Sequence, residues 1–219
     1  RRYNVTFDAN KGVMPEGFDL ADYSSIEEGT FLDLPTPYRD GYYFLGWYTG
    51  KGINDGQFTN ATPVNGNFDL VAKYVVSDAQ YFVQEKMAKL DSFYSQDILY
   101  YVSDAQMIEY ADGFSEYYGL MNFSADSDEL NDAIYAFRRW VSSLPLDRSI
   151  FDLVNGQIEE AFNSVIAADP DILDVFGIEY EAKMAELNAA ATVGDIANVS
   201  SELLQLQGRF EQYLSLIHI

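Results

Sequence analysis

Apolar residues follow two different spacings along this chain, and the spacing changes near residue 76. Before that point they alternate with polar residues in short runs, which is typical of half-buried β-strands. After it they recur every three or four residues over long stretches, which is typical of amphipathic helices. The sequence therefore predicts an α+β protein, with a small β domain at 1–76 and an all-α helical bundle at 77–219.

Three short runs carry the strand prediction. Residues 3–7 alternate apolar and polar side chains and lead into turn-forming residues at 8–12. The second run, 42–49, is rich in aromatic side chains that favour strands, and the third, 68–74, has an apolar residue at every second position. Between the first two runs, residues 19–26 fit either a short helix or an irregular crossover.

A glycine interrupts the alternation of the second run. Gly46 stands between Phe44 and Trp47, and an extra residue in one strand produces a β-bulge. We expect such a bulge at Gly46, because it returns Trp47 to the face that Phe44 occupies. Trp47 should then be buried against the apolar face of the third run, which consists of Phe68, Leu70, Ala72 and Tyr74.

The helical part contains several apolar seams with alternating spacings of three and four. The longest consists of Ile196, Val199, Leu203, Leu206, Phe210, Tyr213 and Ile217. Three further seams lie within 130–144, 151–165 and 180–191, and their number suits an antiparallel bundle of five to seven helices. Few charges flank the 196–217 seam, so we expect it to pack inside its own chain. The alternative is a homo-oligomeric coiled coil.

Weaker seams and capping residues complete the helix prediction. The weaker seams are Val83, Met87, Leu90 and Tyr94, followed by Ile98, Tyr101, Ala105 and Ile108. We expect helices to begin after 77–78, within 124–128, at 147–149 and at Asp169-Pro170, where polar caps or proline stand. We also expect the pair Gly194-Asp195 to separate the last two helices.

Composition excludes several classes of function. Lys and Arg number 13 against 35 Asp and Glu, which gives a formal net charge of -22. Nucleic-acid binding needs an excess of positive charge, and an anionic membrane surface would repel this chain. No apolar run approaches the ~18 residues that span a bilayer, so we expect no membrane insertion. The 48% of hydrophobic residues is ample for a folded core.

The absence of cysteine removes thiol catalysis, disulfides and Cys-ligated zinc. The chain begins at Arg1 and shows no secretory signal segment. We therefore expect it to be a piece of a longer protein.

Three motifs in the first third resemble a known family. The run at 5–12 (VTFDANKG) resembles the opening strand and turn of the internalin-type B repeat, which is also called the Listeria–Bacteroides repeat. The run at 37–49 (PYRDGYYFLGWYT) is similar to its central signature, and the run at 67–74 (NFDLVAKY) to its last strand. One departure is Tyr74, where the family usually has Trp. The resemblance covers about 3–75.

This resemblance implies a small β-grasp-like domain at 1–76, of a kind found in tandem in bacterial surface proteins. It implies no catalytic residues and no cofactor. The helical remainder resembles no family that we recognise.

Candidate catalytic residues are few. The single histidine, His218, stands next to the end of the chain, where a buried catalytic base is not expected. Two clusters of carboxylates stand at predicted helix starts, where negative charge caps a helix and favours its dipole. They are Asp126, Asp128, Glu129 and Asp132, and then Asp169, Asp171 and Asp174. We interpret both as caps rather than a glycosidase pair and predict no catalytic residues.

Metal and ligand sites are weakly indicated. Asp126 and Asp128 begin like a calcium loop, but the sixth position has no Gly and Phe137 stands at the twelfth. We therefore expect no metal and no cofactor. Aromatic residues cluster between 100 and 123, and we interpret them as core, with a tyrosine-rich recognition surface as the alternative.

These observations favour a non-catalytic module of a bacterial surface protein. Its β domain would serve as an adhesion or spacer repeat, and its helices as a stalk or ligand-binding segment. We expect an extracellular location at the bacterial cell surface, a monomer, and a host or surface protein or glycan as any ligand. The alternative is an accessory region of a larger extracellular enzyme.

Overall fold

The computed structural model describes residues 1–52, 55–76, 79–95 and 102–217. Within them, six strands are followed by seven helices, so the predicted α+β fold is confirmed. The strands are β1 (Arg2–Tyr3), β2 (Val5–Asp8), β3 (Ile26–Glu27), β4 (Tyr42–Tyr48), β5 (Gln57–Phe58) and β6 (Phe68–Val76). The helices are α1 (Ala79–Ser95), α2 (Asp104–Glu109), α3 (Ala111–Phe123), α4 (Ser127–Ser142), α5 (Arg148–Ala168), α6 (Ile172–Ala189) and α7 (Val193–Ile217).

The chain forms two compact units that interleave along the sequence. Unit 1 consists of Arg1–Ser95 and Ala111–Phe137, and unit 2 of Gln96–Tyr110 and Arg138–Ile219. The predicted division into a β domain at 1–76 and a helical bundle at 77–219 stays a prediction, and melting each piece alone would test it.

A four-stranded mixed sheet forms the centre of unit 1. Its strand order is β2-β6-β4-β5, in which β2 pairs with β6 in parallel and β4 pairs with both its neighbours antiparallel. Strands β1 and β3 make a separate antiparallel pair. The segment between β2 and β3 contains a 3-10 helix, Leu20–Tyr23, which is one of the two alternatives that the sequence left open for 19–26.

The bulge at Gly46 is present, as predicted. The register of β4 against β6 shifts between Phe44 and Gly46, and Gly46 has a φ of +137°. This left-handed conformation suits glycine, since a side chain there would be strained. Trp47 lies opposite Ala72, is 1% exposed, and contacts the ring of Phe44 at 5.6 Å between centroids. The strand register is therefore the predicted one.

One core cluster of unit 1 joins residues of the strands and their loops to Ala125 of the helical region. Its buried members are Val5, Leu32, Trp47, Phe58, Val64, Leu70, Ala72, Tyr74 and Ala125. Ala125 lies between α3 and α4 and is completely buried. Its backbone oxygen also accepts a hydrogen bond of 3.1 Å from the amide of Val76 at the end of β6. The turn between α3 and α4 is thus part of the core of the β domain.

The aromatic side chains of α3 pack inside unit 1. Phe114 and Tyr117 contact Phe137, and Phe123 makes an edge contact with Tyr48 at 5.5 Å. These contacts support the core interpretation of the aromatic cluster, of which Tyr100 and Tyr101 lie outside the described residues.

The weaker helical seams were predicted in the wrong register. In α1, Phe82 and Leu90 are buried, whereas Val83 and Met87 are 48% and 54% exposed. Of the next seam, Ala105 and Ile108 are exposed, and Ile98 and Tyr101 lie outside the described residues. The side chain of Tyr94 also lies outside them. The buried face of α1 contains polar side chains, which apolar spacing does not reveal.

Unit 2 has a core between α5, α6 and α7, and the long seam of α7 forms its centre. Residues Phe151, Phe162, Ile172, Leu187, Ile196, Val199, Leu203, Leu206 and Phe210 are buried together. The described part of the 196–217 seam therefore packs inside its own chain, as predicted. Leu204, the neighbour of Leu203 in the sequence, lies outside this core and is 63% exposed.

Helix boundaries in unit 2 agree with the predicted caps, with two shifts. Asp147 caps α5 through the amides of Ser149 and Ile150. Helix α6 begins two residues after Pro170, so that proline precedes the first turn. The break before α7 falls at 190–192, earlier than the predicted Gly194-Asp195. There Thr192 and Asp195 cap each other's backbone amides at 3.2 and 2.9 Å.

Candidate functional site

Cationic side chains of unit 1 converge on the segment that joins α3 to α4. We call this arrangement the cationic clasp. Its cations are Lys11, Arg39, Lys73, Lys86 and Lys89, and its acceptors are Asn122, Ser124, Glu129 and Asn131. The cations come from β-domain loops, from β6 and from α1, whereas every acceptor lies within ten residues at the α3–α4 junction. Among the described residues of unit 1, the clasp contains two groups with large pKa shifts, Lys86 and Glu129.

Glu129 is the acidic centre of the clasp. Its carboxylate accepts hydrogen bonds from Arg39, from Lys11 at 2.8 Å and from the amide of Ala125 at 2.8 Å. Burial disfavours the charged carboxylate, but these hydrogen bonds outweigh burial and lower the pKa of Glu129 to about 2. The Arg39 guanidinium also lies over the Tyr42 ring, 3.9 Å from its centroid. Glu129 is therefore ionised and fully engaged at neutral pH.

Lys86 projects from the buried face of α1 toward the C-terminal end of α3. Its amine donates hydrogen bonds to the backbone oxygens of Asn122 and Ser124, the second at 3.1 Å. Carbonyls at a helix C-terminus lack intrahelical partners and attract positive charge. Burial, helped by the charge of Lys73 and opposed by Glu129, lowers the pKa of Lys86 to about 7. A neutral amine still has two N–H donors for the two carbonyls.

Lys73 reaches the same helix end from β6. Its amine donates to the side-chain oxygen of Asn122 at 3.1 Å and lies 5.0 and 5.4 Å from the ring centroids of Tyr48 and Phe123. Burial lowers the pKa of Lys73. The two rings cover the amine and help to hold its charge.

Lys89 contacts the first turns of α4. It donates to Asn131 at 2.6 Å and pairs with Glu85 at 2.9 Å, and Glu85 accepts a 2.7 Å hydrogen bond from the hydroxyl of Ser127. At the start of α4, Asp126 accepts from the amide of Glu129 at 2.8 Å and from the Tyr42 hydroxyl. The start of α4 is thus attached to both the sheet and α1.

A glycine lets α3 approach the β domain closely. A Cβ atom added at Gly119 would overlap the backbone oxygen of Lys51. No larger residue fits this place without a shift of the backbone, so Gly119 permits the close approach of α3 to the backbone of Lys51.

Among the described residues of unit 1, two surface cavities are relevant to function. One, of about 290 Å³, borders the clasp and is lined by charges of both signs, with Lys11, Lys51, Glu129 and Asp132 around Leu120. The second, of about 260 Å³, lies in the 15–35 segment, where the rings of Phe18 and Tyr23 stack at 5.7 Å. Its rim carries Glu16, Asp19, Asp22 and Asp33. We call this second cavity the aromatic groove.

The two carboxylate clusters that were predicted to cap helices differ in the hydrogen bonds that they make. Asp126 caps α4 as predicted, and Glu129 bonds the amide of Ala125 in addition to its two cations. In the second cluster, Asp169 accepts from the amide of Asp171 at 3.1 Å, whereas Asp171 makes no side-chain cap bond. His218 lies outside the described residues.

Among the residues that the structure describes, no group of three or more His, Cys, Asp or Glu side chains is arranged to hold a metal ion. No helix there has the length and apolar character needed to cross a bilayer.

Sequence reasoning missed the clasp as an assembly. Its partners are separated by up to 118 residues, and each is a common surface residue type. One signal was available: α1 has lysines at 86 and 89 on the face between Phe82 and Leu90. A helix face with apolar ends and lysines between them indicates buried polar partners.

Comparison with known families identifies the first third of the chain. The family model of the Listeria-Bacteroides repeat domain matches residues 3–73, as the three motifs predicted. The match indicates a module of the kind found in bacterial surface proteins. No curated protein and no solved structure matches the chain.

Proposed function

We propose that this chain is a non-catalytic part of a bacterial surface protein. In this proposal the β domain with its clasped helices is a spacer repeat, exposed outside the cell, and unit 2 is a stalk or ligand-binding segment. The repeat-family match at 3–73 supports the surface location.

The state of the clasp is the observation that favours a spacer over an enzyme. Strongly shifted pKa values often mark catalytic groups. Here the two most perturbed groups of unit 1, Lys86 and Glu129, are bonded to Asn122, Ser124, Arg39 and Lys11 of the same unit. Their perturbed chemistry serves to attach α3 and α4 to the sheet. A group that is fully engaged in this way is poorly placed to exchange protons with a substrate.

An adhesive role is the second candidate, and the aromatic groove supports it. Stacked rings beside carboxylates suit a sugar, since a ring covers the apolar face of a pyranose and carboxylates accept from its hydroxyls. Tyr23 is held in place by a 2.9 Å hydrogen bond from its hydroxyl to the backbone oxygen of Asp33. A surface protein or glycan of the host is the class of ligand that this proposal includes.

The deciding experiment applies the whole chain to three panels. The first contains ester, glycoside and peptide substrates, the second is a glycan array, and the third is a set of immobilised host surface proteins. A spacer gives no turnover and no saturable binding. Reproducible turnover that disappears in Asp126→Asn or Asp171→Asn would overturn the non-catalytic proposal.

A matched pair of variants separates adhesion from non-specific binding. If a glycan binds, Phe18→Ala should abolish binding, because it removes one of the stacked rings. Phe31→Ala is the control, since Phe31 is an exposed aromatic residue that does not line the aromatic groove. Equal losses in both variants would count against the groove as the binding site.

A further inference from the structure

The chain enters and leaves the β domain at opposite ends of its sheet. Strand β2 is parallel to β6, with Val5 opposite Phe68 and Asp8 opposite Val71. Strand β6 continues beyond this overlap to Val76. At about 3.3 Å per residue, Val75 lies roughly 23 Å along the strand from the level of Val5. A pull on the two ends of the domain is therefore directed along these two strands.

The direction of load decides how a strand pair separates. When force acts along the strands, the ladder is sheared, and its hydrogen bonds carry the load together. When force acts across the strands at one end, the bonds break one after another. Because β2 and β6 are parallel, tension between the two termini of the domain produces shear. An antiparallel pair loaded at opposite residues, such as β4 and β6 at their open end, would unzip.

Further contacts join the same two segments. The hydroxyl of Thr6 donates to Asp69 directly across the ladder at 2.5 Å. The Tyr74 hydroxyl donates to the backbone oxygen of Ala9 at 3.0 Å. The side chain of Asn10 donates to the backbone oxygen of Ala72, also at 3.0 Å. The turn after β2 is therefore attached to β6 beyond the end of the ladder, and these bonds must break in the same sliding motion.

The core resists the same sliding motion. Val5 is 1% exposed, and Phe7 packs edge-on against Trp47 at 4.9 Å between ring centroids. Moving β2 along β6 would drag both side chains out of a close-packed interior. The hydrogen bonds of the β2–β6 ladder and the packing of these side chains would therefore break in the same sliding step.

We propose that the β domain is a tension-bearing element whose mechanical strength lies in the parallel β2–β6 pair. The inference deepens the spacer function proposed above and rests on it for its biological setting. It adds that this topology is suited to tension along the chain. The force needed to unfold the domain should therefore depend on the direction of pull. It should be higher along β2–β6 than the thermodynamic stability of the domain alone would give.

The test is single-molecule force spectroscopy on the full chain. The natural sequence contains no cysteine, so two introduced cysteines give unique attachment points. The shear variant combines Arg2→Cys with Val75→Cys. The unzipping variant combines Tyr43→Cys with the same Val75→Cys, and Tyr43 and Val75 are directly paired in the β4–β6 ladder. Arg2 and Tyr43 are both exposed, and the two variants share one handle.

The expected result is an unfolding force several-fold higher for the shear variant than for the unzipping variant at the same pulling speed. The length released in the shear pull identifies the unfolding domain, since it should correspond to residues 2–75 at about 3.5 Å each. Matching thermal melts of the two variants establish that their thermodynamic stability is equal. Equal unfolding forces in the two directions would overturn the proposal.

A third variant tests whether the mechanical strength lies in the β2–β6 pair. Thr6→Val in the shear background removes the cross-strand bond to Asp69 and should lower the shear force while leaving the unzipping force unchanged. An equal decrease in both directions would contradict the assignment to β2–β6. The outcome is separate from that of the function panels: turnover or ligand binding would overturn the spacer function and leave the directional strength intact. Equal forces without turnover would remove only the mechanical inference.

Discussion

The two units attach their helices in different ways. In unit 1, directed polar bonds from Lys86, Lys73, Arg39 and their neighbours join α3 and α4 to the rest of the unit, beside buried apolar side chains such as Met121 and Leu130. In unit 2, α5, α6 and α7 are held by a continuous apolar core, and each of its described ion pairs has at least one solvent-exposed partner. Exposed pairs contribute little to stability.

This difference has consequences for what each unit tolerates. Directed bonds need particular partners and particular charge states, so unit 1 should respond to pH and to single polar substitutions. Apolar burial needs area and volume, so unit 2 should respond to charge placed in its core and to little else. Four measurements, ordered from the largest expected effect to the smallest, and one acid titration test this contrast.

The largest effect should come from a charge in the core of unit 2. Leu203→Asp places a carboxylate at a completely buried position, within the apolar cluster that α5, α6 and α7 form. We expect loss of the cooperative helical melt of unit 2, measured by far-ultraviolet circular dichroism. Leu204→Asp is the matched control, because Leu204 is 63% exposed, and its effect should stay within about 0.5 kcal/mol. A Leu203→Asp chain that stays folded while its particle mass halves would identify the seam as an oligomer interface.

The second effect concerns the apolar centre of unit 1. Trp47→Ala should lower the free energy of unfolding by ~3–5 kcal/mol, the usual range for a buried aromatic side chain. Tyr43→Ala on the opposite face of β4 should cost far less, since Tyr43 is 61% exposed. Hydrogen exchange of the β6 amides measures both values locally. A loss below ~1 kcal/mol for Trp47→Ala would contradict its place in the core.

The third effect concerns the acidic centre of the clasp. Glu129→Gln leaves the Arg39 guanidinium largely buried without its counter-charge, and we expect a loss of about 3 kcal/mol. Asp128→Asn is the control, because Asp128 is the exposed neighbour on the same turn of α4. Urea unfolding followed through NMR signals of β6 and α7 reports on each unit separately. Equal shifts in the two units would show that the clasp is not confined to unit 1.

The smallest effect is a pH dependence that unit 1 should show through Lys86. The pKa of Lys86 is about 7 in the folded chain, well below the ~10.4 of an unfolded lysine. Between these values the unfolded chain binds more protons, so the stability of unit 1 rises with pH, by at most about 1.4 kcal/mol per unit. Lys86→Met should abolish this slope between pH 7 and 9.5. Identical slopes in the two chains would refute the assignment to Lys86.

Acid should act on unit 1 through a different group. Glu129 has a pKa of about 2 when folded, so its contribution is present above pH ~4.5 and is lost as the pH falls toward 2. Glu129→Gln should remove this part of the acid sensitivity. The two titrations lie at opposite ends of the pH scale, so a single pH series separates them.

Local patterns in the sequence predicted the parts of the fold that depend on neighbours in the chain. The alternation around Val5, the bulge at Gly46 and the spacing of the α7 seam each express a rule that acts over a few residues. Apolar residues are informative in these places because burial is their dominant preference. The same rule failed in α1, where the buried face is shared between Phe82, Lys86 and Leu90.

The clasp could not be predicted, because its information is not local. A lysine at position 86 has the same sequence appearance whether it faces water or the carbonyls of Asn122 and Ser124. Its role depends on where α3 ends in space. Glu129 was correctly assigned to a helix start, but its cations come from Lys11 and Arg39, 118 and 90 residues away in the chain.

The burial of Trp47 has an optical consequence. The chain contains two tryptophans, and the second, Trp140, belongs to unit 2 and is partly exposed. The indole of Trp47 is 1% exposed, and its N–H donates to the backbone oxygen of Pro35 at 2.8 Å. Its fluorescence should therefore be blue-shifted and protected from iodide, while Trp140 emits at longer wavelength and is quenched. The unlabelled protein thus contains a separate fluorescent reporter for each of its two units.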